Sequence, residues 1–330
     1  MSEREGSQRD RAATTAGRLA APREGAGTGG VPASLLEERA PAATYQGASA
    51  AAIQHHYDLG NDFYSLWLDP ELVYSCALYA GPDDTLAAAQ HRKHDYLITA
   101  AKAAGSDRVL DVGCGWGGLL RRLVHRHGVR HAVGLTLSQA QADFLARQPD
   151  ERLDVRVQNW IEHQPQEPYD AIISIGAFEH FADFGLRRDG KVAAYREFFA
   201  RCRDWLPPGG RLALQSIVKG NNTRLSKKTV RDLLFMADVI FPESETPWPS
   251  EALEASERLF DVVSVRNDPD HYARTCRQWR DTLLARREQA EALVGTQAVA
   301  DYDRYLGGVA DAFDRRHLGL MRIVFERPPA

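Results

Sequence analysis

The sequence predicts an α/β fold in which helices flank a doubly wound, mostly parallel sheet of seven strands. Three observations lead there. Val109-Leu110-Asp111-Val112 reads as a buried strand, and Gly113-Cys114-Gly115-Trp116-Gly117-Gly118 turns it sharply into a helix. Strand-like and helix-like segments then alternate, as in parallel sheets with crossover helices. After the fifth strand the alternation breaks at Phe241-Pro242 and Pro247-Trp248-Pro249, which predicts a helical lid inserted in the chain there.

The elements follow in order. Residues 1–48 are rich in Ala, Gly, Arg, Glu and Pro, and they carry no sustained period. They are expected to form a disordered tail whose last part could instead fold as a helix over the site. Near His55 the composition changes, and Tyr57, Phe63, Tyr64, Leu66, Trp67 and Leu68 open the folded part. One catalytic domain is expected over 49–330, with 49–105 as a helical cap. Asp84 or Thr85 caps a helix that runs to about residue 104, where Gly105 ends it. Strands are expected at 107–112, 131–136, 154–158 and 169–175, with helices at 116–127, 138–147 and 189–205. Pro207-Pro208-Gly209-Gly210 stops the last helix, and 211–218 forms the fifth strand. The lid spans 219–255, and a strand at 259–266, helices at 270–293 and 297–316 and a strand at 320–326 complete the chain.

With 330 residues, a net charge of −4 and a pI near 6.3, the chain can bury one large core and offers no overall electrostatic footprint for nucleic acid. Cys76, Cys114, Cys202 and Cys276 form no C-x-x-C pair, so neither a disulfide framework nor a zinc site is expected. His55 and His56 are adjacent and lack a third ligand at metal spacing, and no metal is expected. No segment reads as a membrane span or secretory signal, and the expectation is a soluble, cytoplasmic protein.

The glycine turn points to a nucleotide cofactor. Gly113, Gly115 and Gly118 satisfy the dinucleotide fingerprint, which also wants an acidic residue near the end of the second strand. That strand end reads Ala132-Val133-Gly134-Leu135-Thr136-Leu137-Ser138, without an acid. Asp111, two residues before the first glycine, favours S-adenosylmethionine (SAM), because a carboxylate meets an ammonium there and would repel a pyrophosphate. A packing turn with no cofactor is the remaining reading.

The chain resembles the SAM-dependent cyclopropane-fatty-acyl-phospholipid synthases and the mycolic acid cyclopropane synthases. The resemblance rests on His56-Tyr57-Asp58-Leu59 with Asn61-Asp62-Phe63-Tyr64, on Tyr74-Ser75-Cys76, and on Leu110 to Gly117. It rests also on Gly134-Leu135-Thr136-Leu137-Ser138 and on Ser174-Ile175-Gly176-Ala177-Phe178-Glu179-His180-Phe181. It implies a Rossmann-like class I SAM methyltransferase fold, and a cofactor site made by Tyr74, Ser75, Asp111, Gly113, Gly115, Thr136, Leu137, Gln141 and Trp160. Gln141 would serve the ribose in place of the missing acid, and Trp160 would lie beside the adenine; as an aromatic after a strand it also reads as core.

The resemblance implies attack of an alkene on the sulfonium methyl, followed by proton loss from a carbocation. Phe178, Phe241, Tyr272 and Trp279 are candidates to face that cation. The resembling enzymes hold bicarbonate with a cysteine loop, a glutamate, a histidine and a tyrosine, which Cys76, Glu179 and Tyr272 match. Gln215 takes the histidine's place; it can donate a hydrogen bond but adds no charge. Bicarbonate is therefore an open expectation, and Glu179 is expected to take the proton itself. Cys76 reads equally as a packing residue, and His180 is expected to turn away and brace the following helix.

Arg224, Lys227, Lys228 and Arg231 share one face of the expected lid helix, which either docks a substrate phosphate or is simply solvated. The expected activity is C-methylation or cyclopropanation of an alkene in a lipid or isoprenoid, with peripheral membrane contact as an accompanying possibility. N- or O-methylation of a small molecule is the alternative. A SAM-binding protein without catalysis is the third reading.

Overall fold

The strand order explains where a ligand can enter. In the computed structural model, which describes residues 47–49, 59–183 and 185–329, the seven strands lie in the order β3-β2-β1-β4-β5-β7-β6. They are β1 (Arg108–Val112), β2 (His131–Thr136), β3 (Leu153–Val157), β4 (Ala171–Ile175), β5 (Arg211–Lys219), β6 (Asp261–Asn267) and β7 (Leu318–Glu326). Strands β1 to β5 pair in parallel, and β7 is antiparallel to both β5 and β6. The chain reverses direction across the sheet between β1 and β4, so a crevice opens at the C-terminal ends of these two strands. The glycine turn after β1 sits at that switch point.

Helices α1 (Asn61–Trp67) and α2 (Leu86–Ala100) precede the sheet, and α3 (Gly118–Arg126), α4 (Gln139–Ala146) and α5 (Arg188–Trp205) connect its strands. As the sequence predicts, Thr85 caps α2, its hydroxyl accepting from the Ala88 N–H at 3.2 Å. The lid carries α6 (Lys227–Phe235), continued by a π-turn at Met236–Ile240. Ser226 caps α6, so Arg224 lies before the helix and does not share its face as expected. Helix α7 (Pro249–Ser256) lies within the expected lid, yet Ala252 and Ala255 join the core beside Phe198 and Phe199 of α5. The expected 270–293 helix is two helices, α8 (Pro269–Ala285) and α9 (Arg287–Val294), broken at Arg286. Helix α10 (Thr296–Asp314) packs on α8 and completes the fold.

Apolar strand residues face cores on both sides of the sheet. Leu110, Val133, Ile172 and Leu212 pack on the aromatic face of α5, while Val109, Ala132, Ile173 and Ala213 pack with Leu97, Leu120 and Leu123 of α2 and α3. A third cluster joins α1, α8 and α10 through Phe63, Tyr64, Trp67, Trp279, Tyr302 and Phe313. Among the described residues no helix is long and apolar enough to cross a membrane. The expected tail lies outside the described residues except for 47 and 48, as does the motif at 56–58. Ala48 is buried and donates its N–H to the His180 carbonyl at 2.8 Å.

Candidate active site

The turn after β1 is shaped by two glycines. Gly113 has φ +91°, and a Cβ there would come within 2.6 Å of the Ala177 Cβ; Gly115 has φ +54° and open space beside it. The backbone therefore turns tightly against β4 and leaves one side free for a ligand. A cleft of about 1010 Å³, open to solvent, lies over this turn. Tyr74, Ser75, Asp111, Gly113, Gly115, Thr136, Leu137, Gln141 and Trp160 all line it.

Thr136, at the end of β2, donates its hydroxyl to Gln141 Oε1 at 2.7 Å. That bond leaves the amide NH2 end as the donor available to a ligand. Trp160 opens a 3₁₀ turn after β3, and its ring packs against Phe181 and Phe198 at centroid distances of 5.1 and 5.4 Å while also lining the cleft. Asp111 is 2 % exposed, and its Oδ1 has no hydrogen-bond partner among the described residues. Burial raises its carboxyl to about 7, against the pull of Lys93. An orphaned carboxylate oxygen facing a cleft suits an incoming ammonium group.

Helix α2 contributes a buried polar face that the sequence reading missed. Gln90 donates to the Val73 and Ser75 carbonyls at 3.2 and 2.8 Å, and Lys93 Nζ donates to Ser75 Oγ at 2.9 Å. Lys93 Nζ also lies 3.1 Å from His94 Nε2. These residues hold the Tyr74-Ser75-Cys76 segment against the cleft. Burial, with Arg322 nearby, lowers Lys93 to about 7.

Glu179, Cys76, Gln215 and Tyr272 meet where β4, β5 and the 72–76 segment come together. Glu179 sits in a 3₁₀ turn after β4 and accepts the Ile217 N–H on Oε1 at 2.6 Å; its buried Oε2 has no partner among the described residues. Burial raises Glu179 to about 7 and Cys76 to about 12, so the cysteine is a thiol at neutral pH. Gln215 Nε2 donates to the Cys76 carbonyl at 3.4 Å. Burial pushes the Tyr272 phenol well above its usual range, with Cys76 and Glu179 near enough to add to this if ionised, and its ring stacks on Phe313 at 4.7 Å.

A second feature missed in the sequence lies behind Gln215. Arg322, in the middle of β7, is 0 % exposed. Its Nε donates to Gln215 Oε1 at 2.8 Å, one terminal nitrogen pairs with Asp268, and the other donates to the Ala77 carbonyl at 3.2 Å and the Cys76 carbonyl at 3.4 Å. Arg266 binds the same Asp268 at 2.6 Å.

The profile of the mycolic acid cyclopropane synthetase family matches residues 45–323. This chain belongs to that family. Cyclopropane mycolic acid synthase 2 of Mycobacterium leprae is 36% identical over 284 residues, covering 81% of this chain and 90% of that protein. Hydroxymycolate synthase MmaA4 of Mycobacterium tuberculosis is 33% identical over 291 residues, covering 84% and 93%. The solved structure of mycolic acid cyclopropane synthase CmaA1, complexed with SAH and CTAB, superposes with a TM-score of 0.77 at 33% identity, over 85% of this chain and 99% of that one.

Within the mycolic acid cyclopropane synthetase family frame, several expected site residues need correction. Phe178 is fully buried and stacks on Tyr195 at 4.3 Å, so its ring belongs to the core under α5 rather than to a substrate surface. Lys228 is not a free cation for a phosphate: it pairs with Asp232 at 2.8 Å and approaches Asp311 at 3.6 Å. Arg224 is exposed in the loop before α6 and does not line the cofactor cleft. His180 does not turn away; it lines that cleft, and its Nδ1 lies 2.7 Å from Ser244 Oγ in the lid. Burial lowers it to about 4, which keeps it neutral. Phe241 is half-buried beside Tyr305 at 5.5 Å, and Trp279 packs between Trp67 at 5.8 Å and Tyr74 at 5.2 Å. Trp279 is 0 % exposed, so like Phe178 it is a core residue, whereas Phe241 lies 6.4 Å from His180, which lines the cleft. Among the described residues no group of acidic, His or Cys side chains is placed to hold a metal, and His55 and His56 lie outside them.

Proposed function

We propose that this protein is a SAM-dependent methyltransferase that alkylates a carbon–carbon double bond in an unsaturated lipid or isoprenoid, in the manner of cyclopropane synthases. The observation that carries the reading is Glu179. It is a buried carboxyl group raised to about 7, with one oxygen unpaired, close enough to Tyr272 of the aromatic cluster to act on it, and it lies in sequence between Ala177 and His180, which line the cofactor cleft. A heteroatom acceptor needs polar groups to orient it, whereas these walls suit an apolar chain that develops positive charge.

When bound, SAM supplies an electrophilic methyl group. Asp111 Oδ1 would take the ammonium of its methionine part, Gln141 would donate to the ribose hydroxyls, and Trp160 would lie against the adenine. Tyr74 and Ser75, fixed by Gln90 and Lys93, close the methionine end. An unactivated alkene is a weak nucleophile, so alignment in a dry pocket must supply much of the rate, up to about 7–11 kcal/mol. Tyr272 and Phe241 present ring faces to the carbocation, each worth on the order of 2 kcal/mol when desolvated. Glu179, ionised above its raised pKa, accepts the proton that the cation releases. Its Oε2 is the oxygen left open for this.

The residues also fit a bicarbonate ion at this point, because the orphaned Glu179 Oε2 and the Gln215 amide can both engage an oxyanion. Substrate delivery involves the lid. The outer side of α6 and its approach carry Arg224, Lys227 and Arg231 among exposed Leu225, Val230 and Leu234, a mix suited to peripheral contact with an anionic lipid surface.

The test is incubation with methyl-deuterated SAM and a panel of unsaturated phospholipids, acyl carriers and prenyl diphosphates, read by mass spectrometry. A CD2 (two-deuteron) gain means a ring or methylene product, and a CD3 gain means a methyl branch. Label found only on nitrogen or oxygen would replace this reading with heteroatom methylation.

A further inference from the structure

Gln215 and Arg322 face each other across the β5–β7 pair, in direct register. On the far side, Arg266 of β6 is in register with Arg322. Asp268 then bridges the two arginines. The result is a line from the sheet edge inward, Arg266–Asp268–Arg322–Gln215, with two cations and one anion. It ends at the amide that stands where the resembling enzymes carry a histidine.

Arg322 meets the site from behind. Its Nε and both terminal nitrogens are engaged by Gln215, Asp268 and the Cys76 and Ala77 carbonyls, and one of them also lies 3.7 Å from the Cys76 Sγ. What it does is choose how Gln215 faces. An amide side chain can present either its oxygen or its NH2 group, and only the second can bind an anion. Because the Arg322 guanidinium holds the amide oxygen at 2.8 Å, the NH2 end is turned toward the Cys76 carbonyl, to which it donates at 3.4 Å. The same guanidinium grips the carbonyls of the segment that bears Cys76, so loop and amide are set by one side chain. A buried arginine with one shared aspartate also leaves a net positive charge on the line, where the histidine-to-glutamine exchange had removed a source of charge.

We propose that Arg322 is a positioning residue for a small oxyanion, bicarbonate in the first instance, held by the Gln215 amide beside Glu179. It takes over the charge and orientation that a histidine at residue 215 would provide. This rests on the proposed reaction only for its catalytic consequence; oxyanion binding can be measured without turnover.

The experiment measures binding of 13C-labelled bicarbonate to the full-length protein by NMR line broadening, alongside SAM affinity, thermal melting, and kcat and KM for the alkene. In Arg322→Gln, bicarbonate should bind about 10–100-fold more weakly, the range expected for losing a charge-supported hydrogen bond. SAM affinity should stay within twofold, and the loss should fall on kcat rather than KM. Arg322→Lys, which keeps the charge but cannot hold the amide and both carbonyls, should recover only part. Gln215→Glu is near-isosteric and can pair with Arg322, so it serves if the arginine variants fail to fold; it should abolish bicarbonate binding. Wild-type bicarbonate affinity in Arg322→Gln or in Gln215→Glu, or no bicarbonate binding by the wild type, overturns the proposal. A wild type that binds bicarbonate yet alkylates no alkene would instead overturn the proposed reaction and leave this site standing.

Discussion

Thr136 and Gln141 are joined by a 2.7 Å hydrogen bond across the turn between β2 and α4, and that bond commits the Gln141 amide oxygen and leaves its NH2 end for the cleft that it lines. Thr136→Val keeps the side-chain shape and removes the donor. Isothermal titration should show SAM binding weakened roughly three- to tenfold, the value of one neutral hydrogen bond, with melting temperature little changed. Unaltered SAM affinity would mean that Gln141 orients itself without Thr136.

Glu179→Gln removes the proposed proton acceptor and keeps the hydrogen-bonding shape. Turnover should fall on the order of 10²–10⁴-fold, with SAM affinity within a few fold of wild type. In the wild type, kcat should rise with pH through about 7 and then level, since burial holds Glu179 protonated below that point. A flat profile across pH 6–8 in chemistry-limited conditions would assign the proton elsewhere.

Asp111 and Lys93 should give the ligand-free protein a stability minimum near neutral pH. The Asp111 carboxyl is raised from 3.8 to about 7, so its contribution is present in acid and is lost as pH rises toward 7. The Lys93 amine is lowered from 10.5 to about 7, so its contribution is present in strong base and is lost as pH falls toward 7. Thermal melting of wild type and Asp111→Asn between pH 4 and 10 checks this. The variant should flatten the acid limb, and saturating SAM should raise melting most near pH 7.

Phe178 and Phe241 should separate stability from substrate binding. Phe178→Ala empties a fully buried stacked site and should cost about 3–5 kcal/mol in denaturant unfolding. Phe241→Ala, half-buried in the lid, should cost far less and should act mainly on KM for the alkene. The reverse pattern would return Phe178 to the substrate surface.

Much of the cofactor site was legible because its residues are close in sequence to strand ends, where backbone geometry leaves little choice. The turn at 113–118, Thr136 after β2 and Trp160 after β3 all fall at the open ends of parallel strands, so ordering the strands was enough to gather them. Gln90, Lys93 and His94 were not legible, because polar residues on an amphipathic helix read as a solvated face until the 72–76 segment covers them. Phe178 was misread because sequence places an aromatic residue at a strand end without saying which layer its ring enters. Arg322 did leave a signal. It is a lone cation in the apolar run Leu318-Gly319-Leu320-Met321-Arg322-Ile323-Val324-Phe325, and a charge at the centre of a buried strand requires partners.

The place of β7 between β5 and β6 bears on how the protein is made. Ribosomes deliver the chain from its N-terminus, so the glycine turn, the cofactor cleft and Glu179 can all form while Arg322 has yet to be synthesised. Until β7 emerges and pairs with β5, β5 is an open edge, β6 has no partner in the sheet, and the Gln215 amide lacks the arginine that fixes its oxygen. The nascent protein would therefore gain a place for its methyl donor before it gains an ordered place for the proton, and stalled or truncated chains would be held short of complete chemistry.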